Sequence, residues 1–164
     1  MFRPLRRFKQ ALSPERCEEI LCKGSYGVLA VLGDGGYPYT VPLNYHYCGG
    51  KLYFHTAASG HKLDAVRGCD KVSFCVVDKD ELVAEKLTTY FRSVVVFGRI
   101  RIIEDTEEKR AAVVALSRRY FPQMEEKIQK EASGTLKNLR MLELSIEHMS
   151  GKEAIELVQQ KGEG

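Results

Sequence analysis

Three short stretches carry the side chains whose types and spacing suit chemistry. In "TAASGHKLD", residues 56–64, His61 and Lys62 fall in the first turn of a short helix that Gly68 should end, with Ser59 as the expected N-cap. Basic groups there meet the positive end of the helix dipole, which costs each roughly 0.3–1 kcal/mol relative to a neutral residue. A bound phosphate reverses that sign, because it takes the unbonded N–H groups and both side-chain charges. Thr56, just before, offers a hydroxyl. In "YFRSVVVFG", Arg92 and Ser93 open an otherwise aliphatic strand. The guanidinium suits bidentate phosphate contact and the serine adds a donor, although a strand-end salt bridge explains the pair equally well. The stretch "VPLNYHY" sets polar, aromatic and proline residues side by side, a wall suited to a flat heteroaromatic ring, with backbone groups from Leu43 to Tyr45 reading its edge. An ordinary half-buried strand is the plain alternative.

Other chemistries find little support. Lys62 is followed by Leu63 and lacks the upstream glycines of a Walker A loop. No serine–histidine–carboxylate or cysteine–histidine order stands out, and no paired carboxylates suggest acid–base work. No side chain is assigned as catalytic; Tyr45, His46 and His61 are the only candidates for a proton donor. The five cysteines are odd in number and lack CxxC pairing, so neither a disulfide scaffold nor a metal site is expected. Free thiols suit a reducing cytoplasm. What remains is a binder of a phosphorylated planar cofactor, whose chemistry would belong to that cofactor.

The elements that must position these residues are legible. Ser13 caps a helix with Pro14 at its first position, "YGVLAVL" reads as a buried strand, and "GDGG" as a turn. "YPYTVPLNYHY" alternates cleanly: Tyr37, Tyr39, Val41, Leu43, Tyr45 and Tyr47 on one face, Pro38, Thr40, Pro42, Asn44 and His46 on the other. Pro42 in its middle implies an edge, a bulge or a non-strand neighbour. "KLYFHT", "KVSFCVV", "YFRSVVVFGRIRII" and "NLRMLELSI" are further strands, and a helix opens at Asp105 or Thr106 and runs to Tyr120. Six or so mainly antiparallel strands with late helices predict a mainly β, α+β fold: a small β-barrel with helical decorations.

The 164 residues suit a single domain, with residues 1–13 as an N-terminal arm and 152–164 as a tail that forms at most a frayed helix. A net charge of +3 is too small to argue for nucleic acid, and no apolar run approaches a membrane span. The arm, "FRPLRRFK", is the one dense basic cluster, and no signal-peptide core follows it.

Residues 14–155 resemble the pyridoxamine 5′-phosphate oxidase-like split-barrel flavoproteins, and within them the nitroimidazole-resistance (Nim-type) branch. The resemblance rests on "GVLAVLGDGGYPYTVPLNYHYCGGKLYFHTAASGHKLDAV", "YFRSVVVFGRIRII" and "IEHMSGKEA". It implies a six-stranded antiparallel split β-barrel and a homodimer with FMN at the subunit interface. Phosphate contacts map onto His55, Thr56, His61 and Lys62, with Arg92 and Ser93 also nearby, and the isoalloxazine lies beside Pro42, Leu43, Asn44 and Tyr45. Where the oxidases carry an arginine–lysine pair, this chain has His61 and Lys62, and a histidine can lose its charge in the physiological range. The chain has no tryptophan and lacks the substrate-binding segment that ends those oxidases, so pyridoxamine phosphate oxidation is not expected. An FMN-dependent reductase of a small electrophile such as a nitroaromatic is the expectation. The alternative is a non-enzymatic split-barrel protein loaded with flavin, deazaflavin or haem. Alanine at both Lys62 and Arg92 should abolish FMN retention and largely keep the fold.

Overall fold

The computed structural model describes residues 2–134 and 136–162. Among them, seven strands form one antiparallel sheet: β1 (Tyr26–Leu32), β2 (Pro38–Asn44), β3 (His46–Cys48), β4 (Lys51–Ala57), β5 (Lys71–Val83), β6 (Thr88–Ile102) and β7 (Leu139–Glu153). Their order is β2-β1-β5-β6-β7-β4-β3, so β2 and β3, separated by Tyr45 alone, occupy opposite ends of the sheet. One continuous segment therefore crosses the gap that hydrogen bonds do not close. This is the split barrel, with seven strands rather than six because the long alternating strand breaks at Tyr45 and pairs on both sides of the split. β2 bonds only to β1, so Pro42 sits on an edge strand, where a missing N–H is tolerated.

Alternation places the core. Tyr39, Val41 and Leu43 pack inward against Leu29, Phe54, Phe74, Val94 and Leu144, while Pro38, Thr40, Pro42 and Asn44 are exposed. Helix α1 (Pro14–Lys23) starts where the sequence indicates: Ser13 Oγ accepts from the Arg16 N–H at 3.2 Å, and Cys17, Ile20 and Leu21 are buried. The excursion between β6 and β7 carries α3 (Thr106–Tyr120), capped by Asp105 through the Glu108 N–H at 2.7 Å, and α4 (Glu125–Ser133), which the sequence reading missed. Ala112 and Leu116 of α3 pack with Ile103 and Met141 in a second small core outside the barrel. The tail forms α5 (Ile155–Gly162). β7 extends past the expected "NLRMLELSI" to Glu153, with a register shift opposite Phe97 and Gly98. There a Cβ on Gly98 would lie 2.1 Å from the Ser145 carbonyl oxygen, so only glycine fits. No helix of the described residues is long and apolar enough to cross a membrane, and all five cysteines are unpaired.

Tyr120 clasps the split from outside. Its hydroxyl accepts from the Tyr45 N–H at 3.0 Å and lies 2.7 Å and 2.5 Å from the carbonyl oxygens of Tyr45 and Ser25, to one of which it donates. Tyr45 itself is fully buried, and its hydroxyl donates to the Leu21 carbonyl at 2.9 Å. Tyr120→Phe strands these backbone groups, and unfolding in urea should show a loss of about 1–3 kcal/mol. A variant as stable as the parent would deny Tyr120 this role.

Candidate functional site

A cleft follows from the split. β2 bonds only to β1, so its other edge is unpaired, and β4 runs on into α2 (His61–Gly68), whose first residue meets β2. Two contacts fix the cleft's ends. At one, the His61 ring stacks on Tyr39 with centroids 4.2 Å apart, and its Nε2 lies 3.6 Å from Asp34 Oδ2. At the other, Asn44 and His55 line a common cavity of about 600 Å³, whose remaining walls include Leu116, Tyr120, Phe121 and Met141. The structure thus brings Asn44 beside His55 and Tyr39 against His61.

Within the cleft, α2 differs from expectation in its cap. The N-cap is Gly60, not Ser59; it has φ 128° and supplies no side-chain acceptor. That backbone conformation is one that glycine adopts readily and other residues avoid. The first-turn N–H groups therefore lack a side-chain partner and point from the positive end of the dipole. Lys62 leaves from this turn. It is half-buried, burial pulls its pKa below the ordinary lysine value, and among the described residues it has no hydrogen-bond or ion-pair partner. A partly desolvated ammonium without a counter-charge is an unfavourable arrangement that an anion would relieve.

Other expected residues sit differently. Thr56 is buried on the inward side of β4, whereas His55 is exposed. Tyr45 has no exposed surface, and Tyr120 engages its N–H and its carbonyl, so neither its side chain nor its backbone lines the cleft. The expected flavin-facing Tyr45 is a structural residue, because it continues the inward face of Tyr39, Val41 and Leu43 into the core. Burial also raises its hydroxyl pKa, which argues against proton donation. His46 is half-buried on β3; burial and then the Arg119 charge lower its pKa, holding the imidazole neutral, and its Nδ1 is buried without a partner.

Arg92 and Ser93 lie elsewhere in the same chain. Arg92 is paired across the ladder with Glu153, at one end of β7, while Thr56 pairs with Arg140 at the other. Arg140 and Glu153 are thirteen positions apart, roughly 40 Å of extended strand. The Arg92 guanidinium donates from Nε to Glu153 and from Nη1 to Asp78, each at 2.9 Å. The salt-bridge explanation of Arg92 therefore holds within one chain, with partners that the sequence reading did not identify. Ser93 faces a different environment. Its register neighbour Val77 is 62% exposed. It borders an outward apolar face formed by Tyr26, Val28 and Leu32 of β1 and Phe97 of β6.

The geometry can be set beside known proteins. Residues 13–153 match the family model described as pyridoxamine 5′-phosphate oxidase. The chain belongs to that family. No curated protein matches the sequence significantly. Among solved structures, the fold is similar to that of a candidate 5-nitroimidazole antibiotic resistance protein from Bacteroides thetaiotaomicron, with TM-score 0.71 and 23% identity over 87% of this chain and 86% of that one. It is also similar to a flavocytochrome from Azotobacter vinelandii, with TM-score 0.76 and 21% identity over 92% and 72% of the two chains. An FAD-binding protein from Mesorhizobium loti is 29% identical over 88% of this chain and 97% of that one, with TM-score 0.61. These likenesses match the split-barrel architecture, and several of the relatives are named for flavin or haem.

The two basic residues should behave oppositely on substitution. Arg92→Ala removes the guanidinium that joins Glu153, only 3% exposed, to Asp78, and denaturant unfolding should show a loss of about 1–3 kcal/mol. Lys62→Met removes an unpaired, partly desolvated charge and should leave stability equal or higher. Equal destabilisation by both would overturn the distinction. The fold-preserving double alanine variant expected from sequence is thus replaced by Lys62→Met alone.

Proposed function

We propose that the protein is a flavin-dependent oxidoreductase that binds FMN in the cleft between β2 and the start of α2 and reduces a small electrophile such as a nitroaromatic. The observation that carries this reading is Lys62, a half-buried cation without a partner beside the uncapped first turn of α2. The phosphate would rest on Lys62, His61 and the α2 N–H groups, near Thr56. The ring would lie along Pro42, Leu43 and Asn44, with His55 at its margin. When bound, the flavin supplies the redox chemistry. The chain's own part is to hold the phosphate, align the ring against an edge strand and shield it with the excursion that carries α3 and α4.

A homodimer completes the site in this reading. The outward apolar face across β1, β5 and β6, with Tyr26, Val28, Leu32, Val77 and Phe97 exposed, suits a second copy. Seated there, a partner would bring Ser93 of the partner subunit, and Arg92 of the partner subunit beside it, to the phosphate end that one chain leaves open. The unpaired thiols agree with a cytoplasmic location. Haem is the rival occupant, favoured by His55 on the wall of a largely apolar cavity.

The absorbance spectrum of purified protein decides between them: flavin bands that bleach with reductant and recover with a nitroaromatic are expected. A Soret band without flavin, or colourless protein that does not take up FMN, would overturn the proposal. The Lys62→Met variant should lose FMN while keeping its fold. FMN affinity should also fall as pH rises through the lowered Lys62 pKa, because binding needs the ammonium form and above that value must take up a proton. Fluorescence titrations from neutral to alkaline pH measure this, and a flat profile would remove Lys62 from the phosphate site.

A further inference from the structure

The excursion that carries α3 and α4 encloses space that flavin binding does not use. The cavity of about 600 Å³ beside Asn44 and His55 shares Val113, Ser117, Phe121 and Glu131 with a second one of about 430 Å³, which reaches Met124 and Ile128. Shared walls make the two a single channel, running outward from His55, at the margin of the flavin ring, along α3 to α4. Its base is apolar and firmly held, because Leu116, Ile128 and Met141 are buried. At its outer end Phe121 is 56% and Met124 41% exposed. Large apolar side chains left to water beside buried ones form a surface that an apolar ligand would cover.

The polar groups set limits on that ligand. Asn44 Nδ2 is spent on the Ser25 carbonyl at 2.9 Å, and the Tyr120 hydroxyl on the clasp of Tyr45. The outer cavity carries one carboxylate, Glu131, and one ammonium, Lys127, so it favours no net charge. Pockets that hold drug-sized molecules measure roughly 300–1,000 Å³, and a single small ring would leave most of this channel to water against apolar walls. What fits is a ring with an apolar extension. We propose that the channel takes an uncharged apolar chain carried by the electrophile, with the electrophile's aromatic ring at the Asn44–His55 end.

The two ends of the channel belong to different parts of the fold. At the ring end Asn44 comes from β2 and His55 from β4, the two strands that flank the split. The chain end is built from α3, α4 and the short turn between them, which supplies Met124. Only the identity of the ring's neighbour rests on the flavin reading; the chain site stands on the helical excursion itself. Selection of the chain is therefore separable from flavin binding.

Calorimetric titration of the intact protein with 4-methyl-, 4-butyl- and 4-hexylnitrobenzene tests this. Affinity should rise roughly fourfold with each methylene that enters the channel, so the hexyl compound should bind roughly thirtyfold or more tighter than the methyl one. Met124→Lys, at an exposed position, puts an ammonium at the outer end and should melt as the parent does. It should remove most of the hexyl gain and leave the methyl compound unchanged, and Val113→Phe, which narrows the junction of the cavities, should do the same. In FMN-loaded protein the hexyl compound should perturb the flavin absorbance, as a ring seated beside His55 requires. Equal affinity for the three compounds, a hexyl gain that survives both variants, or tight binding with no change in the flavin bands overturns the proposal. Lys62→Met, which gives up FMN, should keep the chain-length series. Parent protein that takes up no FMN yet shows that series retains the chain site and removes the flavin reading instead.

Discussion

One covalent constraint shapes this molecule: β2 and β3 are joined through Tyr45 yet pair with strands at opposite ends of the sheet. A chain that must reach both ends cannot let the sheet lie open, and a single buried residue at the crossing cannot let it zip shut. The result is a barrel with a fixed slot. Tyr45 fills the interior at the crossing, and Tyr120 grips its backbone from α3, so the slot and the helical excursion are set by the same hydroxyl. The cleft residues on β2 and around the start of α2 take their spacing from that slot.

The site's electrostatics divide sharply. Buried carboxylates on β7 are well provided for: Glu143 meets Lys51 and Arg101, and Glu153 meets Arg92. These groups lock the sheet's long strand to its neighbours, and their attraction is spent within the fold. Lys62 is the contrast, a cation whose burial is not matched by any described carboxylate. Internally compensated charges hold a structure, and an uncompensated one beside open space points outward to a ligand.

What could be read from the sequence followed from how local each signal is. The Ser13–Pro14 cap, the opening of α3 at Asp105 or Thr106 and the alternation of residues 38–44 depend on near neighbours and match the structure, whereas Tyr37 is exposed and the strand breaks at Tyr45. Gly60 displaced Ser59 as the cap because the turn takes a positive φ, which residue preference alone does not show. Arg92 was legible as a basic residue at a strand start, but Asp78 and Glu153 lie 14 and 61 positions away and meet it only through sheet register. Tyr120 was seen as a helix end; its grip on Tyr45 spans 75 positions. Tyr45 continues the inward face of Tyr39, Val41 and Leu43, as the alternation indicates; the break in pairing at Tyr45 follows from the sheet order, and sheet order is not a periodicity.

The late position of β7 has a consequence for how the chain is made. β4 pairs with β3 through a tight turn, but its other edge waits for β7, with Phe54 opposite Leu142 across 88 positions of chain. At ordinary translation speeds that separation is roughly 4–18 s of synthesis. During that interval the β1–β2 and β5–β6 hairpins can form from neighbouring sequence, while β4 keeps a bare edge beside nascent apolar side chains. The barrel is thus sealed only once β7 has been made, and the ribosome-bound chain that precedes it is where β4 is most exposed to mispairing.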